Sequence, residues 1–293
     1  MLAQRALIPF GKLGSNDSDG VYGSRTTAAV MDYQSGNRLN ASGLVDVETW
    51  QKLIGTIPAV AERSLEITIA FEGTGYSGVE GNFDGAGLTF GIVGFTLSNG
   101  EIGELIKRIQ AVGPSLVNQA FGPLTPKLRS ALALSSAKGR VAWGDSISIG
   151  KKKAGVAKPW KDAFARLGTF PEVQRVEREL AHDDYFVPAE ATAAKYRLTS
   201  ELGLALAFDI HVQNGGIKPA AAAQITAAVT AHPITREQDL RVVIANAVAD
   251  CAANIRFRED VRQRKLTVAT GAGKVHDEMY VLRNWGLEDL PAD

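Results

Sequence analysis

Cysteine is nearly absent: Cys251 is the only one in 293 residues. A lone thiol excludes an internal disulfide and a cysteine-based zinc cluster. It lies in Ala247-Val248-Ala249-Asp250-Cys251-Ala252-Ala253, a small-residue helical run, and is expected to be an inert core thiol. Histidine is scarce too: His182, His211, His232 and His276 are scattered, and no spacing suggests a metal site. Neither a metal nor an organic cofactor is therefore expected. No stretch approaches the roughly 20 apolar residues of a spanning helix, so no stable membrane insertion is expected. The start, Met1-Leu2-Ala3-Gln4-Arg5, lacks the apolar run of a signal peptide, so action outside the cytoplasm would need some other means of export or release, or a native leader that is not part of this sequence. An excess of either charge is also missing. Lys plus Arg and Asp plus Glu are 32 each, unlike a strongly basic nucleic-acid binder, and no nucleic-acid partner is expected. Neutrality leaves room for a local basic patch. Lys151-Lys152-Lys153 reads as a solvated loop or as a contact for an anionic polymer.

What is present is ample core material, 45% hydrophobic against 22% charged, in a length that suits one large or two ordinary domains. The first ~55 residues read differently from the rest. Gly20, Gly23 and Gly43 suit tight turns with positive φ. Val30 with Tyr33, and Trp50 with Leu53, are three apart on helix faces that make the core of a three-helix module. The pattern Asp19-Gly-x-Tyr22-Gly-x-x-Thr, then Ala-Val-x-x-Tyr33-Gln, then Gly43-x-Val-x-x-x-Thr-Trp50-x-x-Leu resembles the peptidoglycan-binding domain of bacterial and phage cell-wall hydrolases. Asp46 departs from it, at a position where that family often has glycine. The resemblance implies a wall-binding module over 1–55, with Asp19, Tyr22, Tyr33 and Trp50 as its marker residues. Residues 56–60 read as a linker and 61–293 as a second domain.

Beyond the linker the chain is mostly helical in pattern, with alanine-rich runs at 127–138, 172–182, 199–212, 219–231 and 236–264. The exception is 73–100, which holds nine glycines among the β-formers Phe83, Thr89, Phe90, Ile92, Val93 and Phe95 and reads as a small hairpin or β-lobe. The fold class expected is α+β, mainly helical. Leu65, Ile67, Ile69 and Phe71 fit a strand by alternation and a buried helix by their i, i+4 pairs, and pattern alone is even between the two.

Glu72 follows that apolar run and precedes glycines. Apolar surroundings raise a carboxyl pKa, which suits a general acid. Asp84, twelve residues on, has small neighbours that leave room for water or sugar. Two carboxylates in contrasting environments are the equipment of glycoside hydrolysis. The plainer readings are a helix-end carboxylate for Glu72, an Asp-Gly turn for Asp84 and a strand residue for Thr89. Glu80 is a rival acid or base, while Glu62, Glu66, Glu101 and Glu104 read as solvated helix faces.

Asp84-Gly-x-Gly-x-Thr89-x-Gly-Ile-x-Gly-Phe95 resembles the catalytic loop of the family 46 chitosanases, members of the lysozyme-like superfamily. The resemblance implies a helix ending at Glu72 as general acid, Asp84 as general base, Thr89 positioning the attacking water, and inversion. It extends weakly to Phe208-Asp209-Ile210-His211-Val212-Gln213-Asn214-Gly215. The loop departs from that family in two ways: the glutamate-to-aspartate connection is shorter, and Ala86 stands in place of an arginine. Tyr76, His211, Gln213 and Asn214 are candidate sugar contacts; for the last three the alternative is a helix end with Gly215 as its left-handed cap. Tyr280, Asn284 and Trp285 are cleft-wall or core residues.

Together these readings lead to a monomeric muramidase-type endolysin or related wall hydrolase. It is expected to be made in a host cytoplasm and released to the wall or periplasm, or secreted, with peptidoglycan as its partner. Lytic transglycosylase and chitosanase are the alternatives on the same fold. A non-catalytic wall-binding protein is the alternative from another class.

Overall fold

The computed structural model describes residues 2–14, 17, 18, 22–73 and 75–292. Helices α1 (Leu2–Leu7), α2 (Ser24–Gly36) and α3 (Val47–Ile54) open the chain, and α4 (Val60–Glu72) follows. Strands β1 (Val79–Glu80), β2 (Thr89–Phe90) and β3 (Phe95–Thr96) form one small antiparallel sheet. Four helices come next, α5 (Glu101–Val112), α6 (Leu116–Phe121), α7 (Thr125–Leu132) and α8 (Ala137–Ile147). A hairpin of β4 (Ser148–Ile149) and β5 (Gly155–Val156) leads to α9 (Lys158–Leu167) and α10 (Pro171–Ala181). After a π-helical turn, His182–Phe186, come α11 (Val187–Tyr196), α12 (Glu201–Asn214), α13 (Pro219–Ala231), α14 (Glu237–Asp250) and α15 (Arg258–Thr270). A last hairpin pairs β6 (Ala272–Val275) with β7 (Glu278–Val281). The chain is thus mainly helical with small sheets, as its patterning indicated. Two compact units result, residues 1–71 with 182–293, and residues 72–181. No helix among the described residues is long and apolar enough to cross a membrane.

In the first unit, Val30, Tyr33, Val45, Trp50 and Leu53 close a core with Ala3, Leu7, Leu13 and Ala29. Tyr33 and Trp50 are therefore packing residues, 1% and 3% exposed, and offer no face to a ligand. Tyr22 is half-buried and its hydroxyl donates to Gly43 O. Asp19 and Gly20 lie outside the described residues. Gly43 has the positive φ its turn needs, +73°, whereas Gly23 is the extended N-cap of α2. Gln34, fully buried, accepts from Gly43 N and donates to Leu44 O and Thr49 Oγ1, and so ties α2 to the next turn and to α3. The departure from glycine at Asp46 has a local reason, since this residue caps α3: its carboxylate accepts from Thr49 N and Oγ1.

The even contest over 65–71 resolves to helix. Every residue from Arg63 to Ile69 is buried, so α4 has no polar face along that stretch and shows no single period. Glu66 is thereby corrected from a solvated position to a buried one, where it accepts from Leu2 N at 2.7 Å. The run at 236–264 breaks at Cys251–Phe257, with Asn254 capping the next turn through Arg256 N. An unbroken helix there would extend roughly 40 Å; α14 and α15 pack on each other instead. Cys251 is consequently half-buried at the C-cap of α14, not in the core. Tyr280 and Trp285 are core residues, their rings 5.8 Å apart, and Tyr280 lies 4.9 Å from Phe71.

Two buried ion clusters hold this unit. Arg63 pairs with Glu201 at 2.6 Å and donates to Pro58 O and Gly286 O. Asp209, wholly buried, accepts from Thr68 Oγ1, Arg264 and Lys265. Burial alone would raise its pKa, but the Arg264 and Lys265 charges outweigh that and hold the carboxyl well below the usual range. Removing one member of a buried cluster strands the remaining charges, so Asp209→Ala is expected to lose about 3–5 kcal/mol by urea unfolding at neutral pH. A lowered carboxyl pKa gives stability that is present above the unfolded value and lost as acid protonates the group. The gap between wild type and variant should therefore close only in strong acid.

Candidate active site

The β-lobe of the second unit presents its polar residues by strand alternation. Glu80, Thr89 and Thr96 are cross-strand partners on one row, and Val79, Phe90 and Phe95 on the other. The Phe row is buried, with Phe90 5.0 Å from the Phe164 ring, so the opposite face carries Glu80 and Thr89 outward. Thr96 is tied down, since its N–H and hydroxyl both donate to Glu101 at 2.6 Å. Glu101 is accordingly a cap for the lobe, not a solvated helix residue.

Asp84 is exposed on the loop between β1 and β2, where one carboxylate oxygen accepts from Ala86 N at 2.9 Å. The Asp-Gly turn foreseen for it is real, with Gly85 at φ +90°, and among the described residues the other oxygen finds no hydrogen-bond donor. Asn82 closes this loop. It accepts from Gly87 N at 2.8 Å, donates to Asp145 at 3.1 Å, and its own N–H donates to Ser148 Oγ. Helix α8 lies directly on the loop. A Cβ on Gly87 would sit 2.9 Å from Val141 Cα, and one on Gly144 would run into the Gly87 backbone. Arg140 adds hydrogen bonds to Leu97 O and Ser98 O.

Glu72, half-buried, ends α4 and opens this unit, and Gly73 follows with φ +69°. Partial burial, then the negative charges of Asp84 and Glu72, push the Glu80 carboxyl above its ordinary range. The three carboxylates therefore share one electrostatic neighbourhood. Among the described residues no group of three or more His, Cys, Asp or Glu is placed to hold a metal ion.

Tyr76 is corrected as a sugar contact: it is 5% exposed and its hydroxyl accepts from Arg178. His211, Gln213 and Asn214 lie in the first unit, at the end of α12, where Gly215 supplies the left-handed cap at φ +62°. His211 shares a 2.8 Å hydrogen bond with Thr192, and burial, then Lys218, lowers its pKa. Gln213 Oε1 and Asn214 Oδ1 are shielded acceptors without a partner among the described residues.

The sequence pattern passed over Asn82, Arg140 and Glu177. Only the last left a signal: it stands on the apolar stripe of α10 with Val173, Val176 and Leu180. Glu177 is wholly buried and accepts from Ile92 N at 3.0 Å, holding the turn between β2 and β3. Gly91 makes room for it, because a Cβ there would lie 2.5 Å from Glu177 Oε2. Burial raises the Glu177 pKa well above that of an exposed glutamate, the Ile92 bond opposing it only in part.

A mainly helical chain with a small carboxylate-bearing β-lobe is the architecture of the lysozyme-like glycoside hydrolases. The chain belongs to glycosyl hydrolase family 46, whose profile matches residues 64–239, and it is a glycoside hydrolase. Residues 1–53 match the peptidoglycan binding domain profile. Similar solved structures include a Gynuella sunshinyii family 46 chitosanase in complex with chitotetraose, at 22% identity and TM-score 0.54, covering 78% of this chain and 99% of that one. Another is a mutant chitosanase from Bacillus subtilis MY002 complexed with 6 GlcN, at 20% identity and TM-score 0.50, covering 72% and 85%. At these identities the likeness establishes the fold. No curated protein matches the chain.

A raised glutamate pKa means that burial of Glu177 is compatible with stability while the group is protonated, and that this contribution is lost as pH rises through the folded-state value. Glu177→Gln keeps an acceptor for Ile92 N and cannot ionise. Its melting temperature should match wild type near pH 4 and exceed it progressively toward alkaline pH. A difference that stays constant with pH would show that folding leaves the Glu177 pKa unshifted.

Proposed function

We propose that the protein hydrolyses the β-1,4 glycosidic bonds of the peptidoglycan glycan strand, with Glu72 as general acid and Asp84 as general base. The observation that carries this reading is the shared field of Glu72, Glu80 and Asp84 around a loop whose backbone is locked at Asn82, Gly87 and Gly144. Glu72 stands at the end of an apolar helix and half out of water, a setting suited to handing a proton to the leaving oxygen. Asp84 keeps one oxygen in its turn and one open, a setting suited to drawing a proton from water. Thr89, facing outward from β2, is placed to hydrogen-bond that water.

In the reaction, Glu72 protonates the bridging oxygen as the bond to the anomeric carbon breaks. Water adds to that carbon from the opposite face and gives its proton to Asp84. The products are a new hydroxyl end and a new reducing end of inverted configuration. Peptidoglycan as polymer is supported by the N-terminal binding domain. Chitosan is the second reading, favoured by the complexes of the similar structures with chitotetraose and 6 GlcN.

Mass spectrometry of products from purified peptidoglycan and from chitosan, wild type beside Glu72→Gln, tests this. Reducing-end muramic acid from wild type alone is expected. Glu72→Gln and Asp84→Asn should each lose at least about 100-fold in rate, and Thr89→Ala less, with unchanged far-UV circular dichroism. Anhydro-muramic products would overturn the role given to Asp84, since a transglycosylase needs no activated water. Products from chitosan only would replace the substrate, and no product from either polymer would leave a wall-binding protein.

A further inference from the structure

The β4–β5 hairpin packs on the segment that joins Glu80 to Asp84. Gly81 N donates to Ala154 O at 2.9 Å, and Asn82 N donates to Ser148 Oγ at 2.9 Å. A Cβ on Gly81 would collide with the carbonyls of Lys153 and Gly155. Five residues, 150–154, join the two strands, and three of them are lysines.

The three lysines differ in what they do. Lys153 turns back on its own hairpin, with its ammonium 3.4 Å from the Asp145 carboxylate and 3.3 Å from Asp145 O. Lys151 and Lys152 are exposed, and neither has a carboxylate partner among the described residues. Lys152 and Lys153 also hold left-handed backbone, at φ +55° and +60°. Glycine and asparagine take that conformation at low cost, whereas a lysine there goes against local preference. Turn geometry does not account for lysine at this tip.

We propose that this hairpin selects substrate by charge. It favours a glycan bearing carboxylates, such as the lactyl groups and stem peptides of peptidoglycan, and opposes a polymer of glucosamine, which carries an ammonium on each sugar. The inference rests on Asp84 and Glu72 being the catalytic pair. A carboxylated strand bound at Asp84 has, on the adjoining hairpin, two exposed cations with no carboxylate partner among the described residues. A polyamine is drawn by the three carboxylates and repelled by the lysines in the same approach. Exposed charges act over about 10 Å at modest salt, which spans a sugar or two on either side.

The test compares wild type with the double variant K151E/K152E, whose changes lie on exposed side chains. Hydrolysis is measured on soluble uncrosslinked peptidoglycan strands and on chitosan of similar length, at low and at high ionic strength. At low salt the ratio of anionic to cationic rates should fall about tenfold or more in the variant, and high salt should shrink the difference. A ratio unchanged within about twofold, with unchanged melting temperature, overturns the inference while leaving the enzyme assignment intact. Retention of both polymers on immobilised E72Q protein, with and without the lysine changes, gives a second readout independent of cleavage. Preferential retention of peptidoglycan strands that disappears with the lysines supports the selector even where neither polymer is cut. Equal retention by both proteins overturns it.

Discussion

The loop that presents Asp84 buries a single large apolar side chain, Leu88. It is held by the absence of side chains, at places where one backbone must touch another. Gly87 meets Val141, Gly144 meets Gly87, and Gly81 meets the carbonyls of the β4–β5 hairpin. Such contacts admit no Cβ, and they turn a flexible sequence into a rigid shelf. Once the backbones are in contact, Asn82 satisfies the loop's amide and Arg140 the carbonyls of the following turn. Thr89 and Glu80 then face one way because Phe90 and Phe95 face the other.

This explains which parts of the molecule were readable in its sequence. Elements whose periodicity is set by one buried face, such as α2 with Val30 and Tyr33 or α3 with Trp50 and Leu53, declared themselves. The β-lobe did so through its glycines. Helix α4 did not, because burial on all sides erases the period that separates helix from strand. The same burial hid Glu66, whose partner is the amide of Leu2 across sixty-four positions. Tyr76 stood as a candidate sugar contact, yet close packing buries it.

Charge was the least legible property. Asp209 sits inside a motif that pattern matching did single out, but its partners Arg264 and Lys265 lie on a helix fifty-five residues away. Glu177 was visible only as an acid on an apolar stripe. A buried charge has two physical solutions, an opposite charge or a proton, and the local sequence does not distinguish them. Asp209 is set toward the first by its cationic partners, and burial without one pushes the Glu177 pKa the opposite way, toward the second.

The docking of the N-terminal module has a consequence for reach. Leu2 is bonded to Glu66, the Tyr22 ring packs tilted against Trp285 at 5.5 Å, and Arg63 joins Pro58 O to Glu201. Helices α1–α3 are thereby fixed to α4 and to the C-terminal segment as one body. A binding module on a flexible tether samples a cloud of positions, and its effective concentration falls as the tether lengthens. A module fixed in this way samples one. Whatever α1–α3 hold is then carried at a set distance and angle from α4 and the C-terminal segment, as on a ruler and not on a leash.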